Sequence, residues 1–146
     1  MFSPVFAALL TMAPSVMQAS ESYRCDYATR NECGPGGPCV EFQSPEPYLL
    51  VPSLEVLQNR IESLGRPPAV VQRCDQKGCT EVEVWSRRNG AFINIWSTNG
   101  LFMMKMWAPW SESVLFEYET GDFIEVATSF LGALVSFGHC PGWEVP

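Results

Sequence analysis

The sequence predicts a mainly β protein: an antiparallel meander closing into a small barrel or sandwich, with one short helix and three disulfides. Three observations carry this expectation. From Ala69 onward apolar residues recur at every second position in short runs. Turn dipeptides separate those runs at spacings of roughly eight to twelve residues, the rhythm of an antiparallel meander. Six cysteines, an even number, all lie after the first 20 residues.

The elements follow in order. Ser22 to Tyr27 and Tyr48 to Val51 suit strands, and Val40 to Phe42 suits a short extended piece. Between the first two of these lies Cys33-Gly-Pro-Gly-Gly-Pro-Cys39, which has neither helix nor strand potential. Leu54, Leu57, Ile61 and Leu64 recur at helical spacing. Ser53 serves as their N-cap, Glu55 sits in the first turn, and Gly65 with Arg66-Pro67-Pro68 forms a stop. One helix is therefore expected over 54–64, marginal unless it packs on something.

Val70 to Gln72 leads into Cys74. Thr80 to Trp85 alternates Val82 and Val84 with Glu81 and Glu83, the pattern of a half-buried strand. Asn89-Gly90 fits a type I′ hairpin turn, and Phe92 to Trp96 returns. Thr98-Asn99-Gly100 turns again before Leu101 to Trp107, and Pro109 ends that run. Val114 to Tyr118, Phe123 to Ala127 and Leu134 to Gly138 complete the strands, with Thr120-Gly121-Asp122 as a turn.

Residues 1–20 read as a signal peptide: an apolar run from Val5 to Met12, the break at Pro14, and small residues at Ala19-Ser20. Residues 21–146 then form a single β-rich, disulfide-stapled domain, periplasmic or secreted. The apolar run is shorter than the ~20 residues that span a bilayer, so no membrane association is expected after cleavage. All nine Lys+Arg and sixteen Asp+Glu follow Ser20, leaving the mature part with the whole net charge of −7. An acidic chain without a basic stripe repels phosphate backbones, which argues against nucleic acid as a partner.

In an exported chain the cysteines read as disulfides. Several pairings are possible, and spacing favours Cys25–Cys140, Cys33–Cys39 and Cys74–Cys79. The Lys77-Gly78 turn brings the last pair together. The first pair would join the ends of the mature chain, worth about 5 kcal/mol in the chain-entropy picture against about 2 for either short loop. Neither C-x₅-C nor C-x₄-C has zinc spacing, and no C-x-x-C redox pair occurs.

Candidate chemistry is sparse. His139 is the one histidine, no G-x-S-x-G elbow accompanies it, and paired cysteines offer no thiol nucleophile. The carboxylate pairs Glu81/Glu83, Glu117/Glu119 and Asp122/Glu125 are the raw material of a hydrolase, but most read as the solvated face of a sheet. The segment Phe102-Met103-Met104-Lys105-Met106-Trp107, followed by Trp110, is unusual. Its methionines suit a core; the sharper alternative is a soft-metal site for Cu(I) built from Met104, Met106 and His139. Five Trp and nine Phe also suit an apolar ligand pocket or partner surface. The expectation is a non-enzymatic binding domain without cofactor, its partner a protein or a small apolar ligand.

Gly121-Asp122-Phe123-Ile124-Glu125-Val126-Ala127, the ending Phe137-Gly138-His139-Cys140, and Arg73-Cys74-Asp75 with Gly78-Cys79-Thr80 carry a resemblance over about half the chain. They resemble a group of small exported, cysteine-containing proteins of alphaproteobacteria, which implies export but no particular activity. The expected architecture is similar to the small disulfide-closed barrels that inhibit lysozymes in the periplasm. The Ser-Gly-x-x-Tyr loop of those inhibitors is absent, so the likeness is one of shape.

Overall fold

A computed structural model of the protein describes residues 22–41, 47–109, 118–129 and 132–144. The segment 1–20 expected as a signal peptide, Phe42 and Trp110 lie outside these residues. So does most of the strand expected over 114–118; Tyr118, its last residue, is not in a strand.

Alternating sequence becomes strand throughout: β1 (Ser22–Cys33), β2 (Val40–Glu41), β3 (Tyr48–Pro52), β4 (Ala69–Asp75), β5 (Gly78–Asn89), β6 (Phe92–Ser97), β7 (Phe102–Trp107), β8 (Asp122–Ser129) and β9 (Gly132–His139). Eight of them, β1 and β3 through β9, form an antiparallel ring that β1 closes by pairing with β9. The alternatives of barrel and sandwich thus resolve as a closed barrel, which leaves the ring without free edges. β2 is a two-residue addition beside the far end of β1.

Inward positions supply the core. Leu49, Val51, Val71, Val84, Ile93, Ile95, Met104, Met106 and Phe123 are all buried. Gly138 has no side chain because there is no room for one: an added Cβ would fall 2.3 Å from the Asp26 carbonyl oxygen and 2.4 Å from the Phe123 ring.

The expected helix over 54–64 is a correction. A helix, α1, covers only Leu54–Leu57, with Ser53 capping it as expected. Asn59 then takes a left-handed conformation, φ 53°. Arg60 exchanges backbone hydrogen bonds with Ser86 of β5 at 2.9 and 3.3 Å. The Ser86 hydroxyl donates to the Leu57 carbonyl. A 3₁₀ turn, Glu62–Leu64, ends on left-handed Gly65. A helix this short is marginal alone, and strand-like pairing at the edge of the barrel outcompetes its last turns. The hairpin turn after β5 also moves by one residue. Asn89 pairs with Phe92, so Gly90 and Ala91 form the loop. Only Gly90 of the two has positive φ, 59°, the pattern of a type II′ turn.

The two ends of the barrel differ. One end is plugged. Trp143, fully buried, donates its indole N–H to the Pro52 carbonyl at 3.0 Å, and Glu144 accepts from the Leu54 backbone N–H. The disulfide Cys25–Cys140 holds the segment carrying Trp143 against β1. The other two disulfides, Cys33–Cys39 and Cys74–Cys79, fasten loops at the opposite end. These are the three pairs that the spacing favours. Three disulfides mark an oxidising environment. No helix among the described residues is long and apolar enough to cross a membrane.

Candidate functional site

The unplugged end carries polar side chains that face inward, against the apolar trend of the core. β4 points Arg73 into the lumen, in the row of Ala69 and Val71; β8 points Glu125 inward, in the row of Phe123. Tyr27 comes from β1. A bulge between Tyr27 and Thr29 then leaves Ala28 and Thr29 exposed and turns Arg30 towards Ser136.

Glu125 is fully buried. A carboxylate there survives as an ion only if it is paired and hydrogen-bonded, and both of its oxygens are engaged: Oε1 by the Arg73 guanidinium and Oε2 by the Tyr27 hydroxyl. Burial, followed by the neighbouring Glu125 charge and the hydrogen bond to it, pushes the Tyr27 hydroxyl far above the usual tyrosine range. Tyr27 is therefore a permanent donor. Stacking stiffens the group. Arg30 lies 4.6 Å from the Tyr27 ring centroid, Arg73 lies 5.1 Å from that of Phe102, and the Tyr27 ring meets Phe123 edge-on at 5.7 Å.

These residues form a polar floor. Below it lies the apolar interior, above it a cleft of about 540 Å³ lined by Tyr27, Arg30, Tyr48, Arg73, Lys77 and Thr80, among others. Arg73 also borders a second cavity of about 240 Å³ beside Glu32 and Leu134. The β4–β5 hairpin shapes one wall of the cleft, and its form is fixed twice. Cys74 is joined to Cys79, and the Asp75 carboxylate accepts the Lys77 backbone N–H at 2.7 Å.

The residues singled out in the sequence lie elsewhere. Met104 and Met106 are buried in the lumen, with Met106 paired to inward-facing Phe123. His139 is paired with Asp122 on the outer side of the wall, its Nδ1 2.7 Å from an Asp122 oxygen. The barrel wall thus separates the thioethers from the imidazole. Glu81 and Glu83 are exposed, as is Glu119, whereas Glu117 lies outside the described residues. Asp122 and Glu125 fall on opposite faces of β8. Among the described residues no three His, Cys, Asp or Glu side chains gather around a common point.

Motif and spacing do not single out Tyr27, Arg30 or Arg73 as site residues, although the sequence carries one signal. Arg73 and Glu125 each occupy the apolar phase of an alternating strand, where a charge needs a partner. Compared with known protein families, curated proteins and solved structures, the chain has no match.

Proposed function

We propose that the protein is an exported, non-enzymatic binding domain that takes its ligand in the mouth cleft. One observation carries the reading: the barrel is plugged at one end by Trp143 and floored at the other by Tyr27, Arg73 and Glu125, with a cleft of about 540 Å³ above that floor. A concave site with a few convergent polar groups is the usual form of a ligand pocket. The Cys74–Cys79 disulfide cross-links its β4–β5 wall, which lowers the ordering cost of binding. The local disulfides sit where they stiffen the mouth, and they also support delivery across a membrane by the leader at 1–20.

Binding rather than catalysis is favoured by how the reactive groups are engaged. Glu125 holds Arg73 and Tyr27, Asp122 holds His139, and all six cysteines are in disulfides.

Native and denaturing mass spectrometry on protein recovered from the periplasm of an expression host tests the reading. The expected covalent mass lacks the first ~20 residues and six hydrogens. The native spectrum should show a retained ligand that Thr80→Trp, placed in the cleft wall, removes without lowering Tm. An uncleaved, reduced chain overturns export, and equal retention by Thr80→Trp overturns the mouth as the site.

A further inference from the structure

The cations of this acidic chain are not spread evenly. Of nine Lys+Arg, Arg30, Arg73 and Lys77 line one cleft. A fourth, Arg24, sits 3.9 Å from the ring centroid of Tyr48 in the cleft wall. The opposing carboxylates are Asp75 on the cleft wall, Glu125 beneath Arg73, Glu32 in the adjoining cavity, and Asp26, which pairs with Arg24 at 3.0 Å. Glu125 pairs with Arg73 and Asp26 with Arg24; the cleft lining itself holds three cations and one carboxylate, Asp75, which accepts the Lys77 backbone N–H.

The hydrogen-bond inventory points the same way. Ser136 is fully buried, paired in register with both Arg30 and Glu125, and its hydroxyl has no partner among the described residues. The Nε of Arg73 is likewise buried and without an acceptor there. Buried polar atoms in a native fold have partners. A guanidinium N–H can only donate, so the Nε of Arg73, a residue of the cleft lining, calls for an acceptor.

We infer that the mouth binds a small organic oxyanion, a carboxylate or phosphate ester, carried on a flat ring. Planar guanidinium forks match such groups, Lys77 adds a point charge at the rim, and Tyr27 and Tyr48 in the lining supply aromatic surface for the body of the ligand. This inference rests on the mouth reading above.

Calorimetry on the mature, disulfide-bonded protein at low salt tests it with four probes: benzoate, phenyl phosphate, benzyl alcohol and benzylammonium. Benzoate or phenyl phosphate should bind and the other two should not. Lys77→Glu, on an exposed turn, should weaken the bound anion about tenfold or more, as loss of a charge-assisted contact does. Arg30→Gln should do the same. An anion held equally tightly by Lys77→Glu overturns the inference. Benzyl alcohol or benzylammonium binding as well as the anions also overturns it, and leaves the mouth as a binding site. Silence from all four probes overturns this ligand class, while the mass spectrum of the recovered protein judges the mouth independently.

Discussion

Arg73 on β4 and Glu125 on β8 form an ion pair across the full width of the barrel. Counted either way round the ring, their strands are four apart among eight, so the pair spans a diameter. Removing one partner of a buried pair costs about 3–5 kcal/mol, because the other is left uncompensated. Arg73 is about one-third exposed and Glu125 not at all. Arg73→Met should therefore be the worse single change, and Glu125→Leu the milder. The double variant should recover most of the loss, as apolar replacements of buried pairs do. Urea melts of the four proteins measure this, and additive losses would contradict it.

Tyr27 gives the fold an alkaline limit. Its hydroxyl holds its proton more tightly in the folded protein than in the unfolded chain, so the corresponding stability is complete below the unfolded pKa of about 10 and is lost as pH rises above it. Stability should decline from about pH 10 upward. Tyr27→Phe should be less stable at neutral pH by about 2 kcal/mol, the worth of a hydrogen bond to a charged acceptor. Its decline above that pH should be shallower, as followed by circular dichroism.

The disulfides should contribute unequally. Cys25–Cys140 joins residues 115 apart, while Cys33–Cys39 spans 6. Chain entropy assigns about 5 kcal/mol to the first and about 2 to the second. Replacing Cys33 and Cys39 by Ser should leave a cooperative fold with a modestly lower Tm. Replacing Cys25 and Cys140 by Ala should bring the protein near the threshold of folding at 37 °C. Thermal unfolding of the two double variants makes the comparison.

Ser86 marks where the helix expected over 54–64 gives way. Its buried hydroxyl donates to the Leu57 carbonyl, and an orphaned buried carbonyl costs about 1–3 kcal/mol. Ser86→Ala should lose that much stability. It should also speed hydrogen exchange at Arg60, whose N–H bonds to the Ser86 carbonyl.

Local pattern carried much of the fold. Alternation marked most of the strands, and the stop at Gly65 is where the 3₁₀ turn ends. What the sequence concealed depends on distant partners. Nothing near Arg60 announces that Ser86, twenty-six residues on, will replace its helical bonds. The bulge at Ala28 breaks the period-two count, so simple alternation from Tyr27 would point Thr29 inward where Arg30 stands. Glu125 was legible as one of a pair of acids on β8, but its burial follows only once β4 lies opposite. Trp143, beyond the last strand, shows no period at all, and its role as plug emerges from the Cys25–Cys140 bond.

Closure by β1 and β9 imposes an order in time. β1 pairs early with β3, but its other neighbour in the ring is β9, the last strand, so the sheet keeps two free edges until β9 arrives. A chain made from its N-terminus thus cannot finish folding before its tail is free. The seam seals last, and the bond from Cys140 back to Cys25 fastens it.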